Sequence, residues 1–176
     1  MSVVETQRLR LRQLTLDDRD FLIELLNDRD FLRHIGDKGV RNRADARKYL
    51  ETGPLAAYRE LGFGLYCVET KAESTAIGIC GLVSRDGLDA VDIGFAYLPD
   101  FRGRGYGYEA GLAVLDYARE ELALDRVVAV TSPENIGSIA LLRKLGLEFD
   151  RSLRLPGDTR DCQLFVPADG VSSRSR

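Results

Sequence analysis

The sequence has a single histidine, His34, and only three cysteines, Cys67, Cys80 and Cys162. No His/Cys group has metal-ligand spacing, which argues against a zinc site, and no metal is expected. Three cysteines cannot all pair. Each lies in an apolar, strand-like setting, so buried free thiols in a reducing compartment are expected rather than a disulfide framework. No run of about 18 apolar residues is present, so no membrane span is expected. The opening MSVVETQRLRLRQL lacks the apolar centre of a signal peptide, and a cytoplasmic protein is expected. Basic charge is not in excess either. A formal net charge of −3 argues against a general nucleic-acid binder with its basic face.

What is present suits one globular domain. The 176 residues are 44% hydrophobic and 30% charged, enough for a proper core. One domain over 1–168 is expected, followed by a polar, disordered tail at 169–176. Residues 8–14, RLRLRQL, alternate as a half-buried strand. Thr15 caps a helix with Asp18 three residues on and Leu22, Leu25 and Leu26 on its apolar face. More helix is expected over 44–61, ending at Gly62. Strands follow at 63–70, 75–83 and 89–97, joined by turn residues as an antiparallel meander. A helix at 105–122, a strand at 126–131, a helix at 133–145 capped by Ser132, and strands at 147–155 and 161–166 complete the pattern. This is an α+β chain.

The stretch LPDFRGRGYGYEAGLAVLDYA places Gly103, Gly105 and Gly107, with Arg102 and Arg104 between them, directly before a helix. Glycine admits positive φ and close ligand approach. A helix N-terminus offers unpaired N–H groups and partial positive charge, a site suited to phosphate or pyrophosphate. The two arginines add charge-assisted hydrogen bonds. A tight turn with solvated arginines is the plain alternative. A Walker A loop is excluded because Tyr108-Glu109, not Lys-Ser/Thr, follows Gly107. Gly105-Tyr106-Gly107-Tyr108-Glu109-Ala110 fits the dinucleotide pattern G-x-G-x-x-A. Its context does not fit: LPDFRGR separates it from its strand, and the next strand ends in Thr131, not an acid.

Arg102-Gly103-Arg104-Gly105-Tyr106-Gly107 also fits R/Q-x-x-G-x-G/A, and resembles the coenzyme A pyrophosphate loop of the GNAT family of N-acetyltransferases. VDIGFAYLPDFRGRGYGYEA resembles that family's fourth strand, loop and third helix, and SPENIGSIALLRKLGL resembles its later helix. ETQRLRLRQLTLDDRDFLIELLND is similar to the ribosomal-protein (Rim-type) N-terminal acetyltransferase branch, and the resemblance covers residues 5–166.

The resemblance implies a mixed, mostly antiparallel sheet flanked by helices and splayed between strands four and five. It implies acetyl-CoA as co-substrate, an amine acceptor, no nucleic acid or membrane partner, and a monomer or homodimer. Phe95, Ala96 and Tyr97 would pair with the pantetheine arm. Arg102 and the N–H groups of Gly103, Arg104, Gly105, Tyr106, Gly107 and Tyr108 would hold the pyrophosphate. Asn135 would touch the coenzyme and Ser138 would lie near its sulfur. Many members carry a tyrosine seven residues after the asparagine; here Leu142 stands there. The donor to the leaving thiolate passes to Ser138.

Aminolysis of a thioester needs a proton acceptor and a donor to the carbonyl oxygen. The backbone near Tyr97 is the expected donor. The branch's glutamate base has no counterpart in RSLRLPG. Asp92 is the first candidate, sharing the small-residue face of its strand with Gly94 and Ala96, and Asp161 is the second. His34 falls in a loop on the acceptor side. Cys67 and Cys80 lack an activating base nearby, so a covalent acyl-enzyme is not needed. The rival reading from another class is a non-catalytic acyl-CoA-binding or sensing module.

Overall fold

The alternation of RLRLRQL forms a strand because it separates two surfaces. Leu9 and Leu11 are fully buried, while Arg10 and Arg12 both reach Glu69 on the neighbouring strand, at 2.9 and 3.0 Å. A computed structural model describes residues 2–168; the tail expected at 169–176 lies outside the described residues. In chain order the elements are β1 (Ser2–Glu5), β2 (Leu9–Gln13), a 3₁₀ turn (Leu16–Asp18), α1 (Arg19–Leu26), α2 (Arg29–His34), α3 (Arg43–Thr52) and α4 (Pro54–Leu61). Then come β3 (Leu65–Thr70), β4 (Ala76–Val83), β5 (Val91–Tyr97), a second 3₁₀ turn (Pro99–Phe101), α5 (Tyr106–Glu120), β6 (Val127–Thr131), α6 (Ile136–Lys144), β7 (Leu147–Leu153) and β8 (Cys162–Pro167).

The strands lie in the order β1-β2-β3-β4-β5-β6-β8-β7. Every neighbouring pair is antiparallel except β5 and β6, which run parallel. One face of the sheet packs on α5 and α6 through Ile93, Tyr97, Val114, Leu142 and Phe165. The other packs on α1 to α4 through Leu22, Leu25, Ala46, Leu50 and Ile79. The mixed, mostly antiparallel sheet flanked by helices is therefore the observed architecture.

The parallel pair is the exception that makes the site. β5 is laddered to β4 from Val83↔Asp92 to Gly78↔Tyr97, but to β6 only at Val91↔Val127 and Asp92↔Val128. Beyond Asp92 the two strands part. This is the expected splay; strands four and five of the sequence reading are β5 and β6 once β1, which that reading lacks, is counted.

Three local expectations change. His34 is not in a loop but ends α2, whose N-cap Asp28 accepts from the amides of Asp30 and Phe31. The helix expected over 44–61 is two helices, divided at Gly53 with Pro54 opening the second. The cap of α6 is Asn135 rather than Ser132, because its Oδ1 accepts from the Ser138 amide at 3.2 Å, while Ser132 to Asn135 form a preceding turn.

Candidate active site

Two strands that run parallel deliver their following loops to the same edge of the sheet. The glycine loop after β5 and the start of α6 after β6 thus face one another across the splayed gap. Each glycine in the loop has its own reason. Gly103 and Gly105 have φ of 74° and 84°, left-handed values that disfavour any Cβ. Gly107 is helical and serves packing: a Cβ there would lie 3.0 Å from Leu141 and 3.4 Å from the Tyr97 ring.

Gly105 is the N-cap of α5 and supplies no capping side chain. The first amide of this helix to find a carbonyl is that of Glu109, bonded to Gly105 at 3.1 Å. Among the described residues no acceptor serves the amides of Gly103 to Tyr108. Six adjacent donors without a protein acceptor at the positive end of a four-turn helix form an arrangement suited to an anion.

The two arginines divide their labour. Arg102, expected at the phosphates, is committed inside the protein. Its Nε donates to the Tyr97 carbonyl at 2.9 Å, and its Nη atoms reach Asp30 and Asp28 at 2.7 and 2.6 Å. Its charge is thereby neutralised, which corrects its assignment as a phosphate contact through the side chain. Arg104 lies 5.5 Å from the Phe101 ring centroid and has no carboxylate partner among the described residues. A third arginine, absent from the sequence reading, arrives from the start of β2. Arg8 stacks 4.3 Å over Tyr106, donates to the Arg104 carbonyl at 3.0 Å and pairs with Glu109 at 2.7 Å. Glu109 also accepts from the Thr6 hydroxyl and the Arg8 amide. Burial alone would raise its carboxyl, but these hydrogen bonds and Arg8 hold it below the ordinary value. No local signal could have found Arg8, since its partners lie about a hundred residues away in sequence.

Phe95, Ala96 and Tyr97 lie on the part of β5 that β6 leaves unpaired. The Tyr97 side chain runs into the core beneath α5, where its hydroxyl is buried without a hydrogen-bond partner among the described residues. Burial pushes that hydroxyl's pKa well up. Only the Tyr97 backbone is open to chemistry, and its carbonyl already accepts from Arg102. Asn135 and Ser138 are half-buried in the first turn of α6, and the Ser138 hydroxyl has no partner among the described residues. Leu142, at the place of the family's tyrosine, is 1% exposed in the core.

On the other face of β5, a cavity of about 340 Å³ is bounded by Gly94 to Ala96 and by Phe31, Tyr49, Leu65, Ile79 and Leu82. Asp92 is on this side but does not line the cavity. It is 1% exposed, and both its oxygens accept from Arg85 Nε at 3.0 Å. Burial raises its carboxyl, against the pull of Arg85. With both oxygens engaged and no open surface, Asp92 is placed to hold Arg85, and its assignment as the direct base is corrected. Asp161 is exposed and paired with Arg154 at 2.9 Å. His34 does not line the cavity either; Phe31, Ile35 and Lys38 from the same segment do. Burial pushes the Cys67 and Cys80 thiols up to about 12, which removes them as nucleophiles near neutrality. Among the described residues no group of His, Cys, Asp or Glu could hold a metal ion, and no helix is long and apolar enough to cross a membrane.

A family model described as an acetyltransferase (GNAT) domain matches residues 8–148. YnaD of Bacillus subtilis (strain 168), named as an uncharacterized N-acetyltransferase, is 26% identical over 144 residues, covering 82% of this chain and 81% of its own. A GNAT-family acetyltransferase from Bacillus anthracis superposes with a TM-score of 0.77 at 23% identity, over 93% of this chain and 96% of its own. The ribosomal-protein acetyltransferase RimL, solved in complex with coenzyme A, superposes with a TM-score of 0.69 at 16% identity, over 96% of this chain and 99% of its own. The last two are likenesses of fold; the family model, which runs from β2 through the glycine loop and α6, carries the assignment. The chain belongs to the GNAT family, the acetyl-CoA-dependent N-acetyltransferases.

Proposed function

We propose that this protein transfers the acetyl group of acetyl-CoA directly to a primary amine, with both substrates bound at once. The observation that carries this reading is the arrangement around β5. Six unsatisfied amides and the free Arg104 lie at its end, an unpaired strand edge lies beside it, and an apolar cavity opens against the same residues, Gly94 to Ala96. Acetyl-CoA supplies a thioester already activated toward amines. The chain's residues do the rest. The amides of Gly103 to Tyr108 and Arg104 bind pyrophosphate, and the free edge of Phe95 to Tyr97 aligns the pantetheine arm. Asn135 orders the first turn of α6 so that Ser138 can donate to the departing sulfur. The strand backbone near Tyr97 donates to the carbonyl oxygen, where charge develops. The amine proton leaves through solvent at the open side of the cavity, because Asp92 is enclosed by Arg85.

One observation favours the second reading, an acyl-CoA-binding module without activity: Leu142 is buried where a general acid stands in many relatives. A panel of primary amines incubated with acetyl-CoA, read by thiol release and by mass of the acetylated amine, separates the two. The proposal expects thiol release that depends on the amine, with one N-acetyl product per thiol. Acetyl-CoA binding without amine-dependent release supports the binding module instead.

A further inference from the structure

The cavity against β5 has an uneven charge. Its walls are apolar, Phe31, Tyr49, Leu65, Ile79 and Leu82 among them, and among the described residues its only charged lining is two cations, Lys38 and Arg85. Among the lining residues there is no carboxylate. Arg85 is held from behind: Asp92 takes only its Nε, and no protein group within the described residues takes its two Nη atoms. Lys38 has no ion pair among the described residues. Burial lowers the Lys38 ammonium's pKa first, and the field of Arg85 lowers it further, while Asp158 pulls it back. Both cations are solvent-exposed at the rim of the cavity, Arg85 offset from behind by Asp92 and Lys38 in part by Asp158, and each keeps N–H donors that no acceptor takes among the described residues. Low-dielectric walls focus their field onto whatever enters.

We infer, resting on the acetyl-transfer reading above, that the acceptor is an apolar primary amine carrying a carboxylate, in form a free amino acid with a large apolar side chain, whose carboxylate is held between Lys38 and Arg85. The side chain fills the apolar part of the cavity and the amine faces Gly94 to Ala96. A polyamine or aminoglycoside is disfavoured, because a second cation would meet Lys38 and Arg85 with no lining acid to receive it. A peptide N-terminus is disfavoured because its first residue has an amide where the carboxylate should be. In the transfer the amine nitrogen bonds to the thioester carbonyl carbon as the C–S bond breaks. Sulfur keeps that electron pair and takes up one proton, and nitrogen loses one, so that an N-acetyl amino acid and free thiol result.

The test compares phenylalanine, phenylalaninamide, an N-terminal phenylalanine peptide amide and spermidine as acceptors, in the wild type and in Lys38→Glu. Lys38 is exposed and has no ion pair among the described residues, so the variant should fold, and its melting temperature with acetyl-CoA checks this. The expected result is a kcat/KM for phenylalanine about tenfold or more above its amide and the peptide, with spermidine poorest. Lys38→Glu should abolish or invert that order while its response to acetyl-CoA is unchanged. Equal use of acid and amide, or a preference for the peptide or spermidine, overturns the inference and leaves acetyl transfer standing. Calorimetry with N-acetylphenylalanine and its amide tests the cavity without turnover. Tighter binding of the acid, weakened in Lys38→Glu, supports the inference even if no amine is acetylated, in which case the transfer reading alone fails. Equal binding of the two overturns it.

Discussion

Ser138 occupies the third position of α6 with its amide tied to Asn135 and its hydroxyl uncommitted within the described residues. A hydroxyl that donates to sulfur matters as thiolate charge develops and little before, so it should affect the transition state more than the ground state. Ser138→Ala is therefore expected to lower kcat by about 10- to 100-fold, within the effect of one lost transition-state donor. Acetyl-CoA affinity should change little. Initial rates at saturating acetyl-CoA, beside calorimetric affinity, check this; equal losses in both would reduce Ser138 to a binding contact. The motif made Ser138 and Asn135 legible in the sequence. It could not reveal that Asp92 is closed off, because the strand pattern gives the face of a residue and not the partner that reaches it from a neighbouring turn.

At the scale of elements, the glycine loop is braced from two sides by groups remote in sequence. Arg102 ties it to the N-terminus of α2, and Arg8 with Glu109 ties it to β2. The sequence made the loop and its helix plain, because glycine before a helical pattern is a local signal. Arg102 and Arg104 looked alike there, and only tertiary partners distinguish them. The short α2 was missed for a related reason: six residues give too little periodicity to read. The distinction predicts opposite phenotypes. Arg104→Ala should weaken acetyl-CoA binding by about tenfold, one charge-assisted hydrogen bond, with an unchanged melting temperature. Arg102→Ala should lower the melting temperature by leaving Asp28, 10% exposed at its side chain, without its cation. Parallel titration and thermal denaturation of the two variants decide the matter. A larger affinity loss in Arg102→Ala would return its side chain to the phosphates.

The whole molecule is a sheet opened at one parallel junction, with the glycine loop at the end of β5 and the apolar cavity against Gly94 to Ala96, where the proposed coenzyme and acceptor would lie. The meander of β3 to β5 and the succession of α5, β6 and α6 were readable as patterns of period and punctuation, whereas β1, α2 and the division at Gly53 were not. The depth of the splay was not, because it depends on where the β5–β6 ladder stops. The same fold concentrates carboxylates whose pKa values are depressed. Against the opposing effect of burial, Glu69 is held low by Arg10 and Arg12, Glu109 by Thr6 and Arg8, and Asp28 by Arg102 and backbone amides. A carboxylate lowered on folding contributes stability above its unfolded pKa, and that stability is lost as pH falls through the folded value. Unfolding free energy should thus fall as pH drops below about 4.3, the ordinary glutamate value, with Asp92, whose carboxyl is raised on folding, opposing that fall in part. Denaturant titrations across that range test it, and stability rising toward low pH would contradict the assigned pairs.

The central claim is that the loop at the start of α5 is a pyrophosphate cradle. It is tested most directly by calorimetric titration of acetyl-CoA into the wild type and Gly105→Val. At a φ of 84° valine is strained, and its Cβ would lie 3.3 Å from Arg8 Nη2, pressing on the arginine that braces the loop through the Arg104 carbonyl. The account predicts one acetyl-CoA per chain for the wild type, far weaker binding of pantetheine, and no measurable acetyl-CoA binding by a folded Gly105→Val. Acetyl-CoA binding by folded Gly105→Val with wild-type affinity would contradict it.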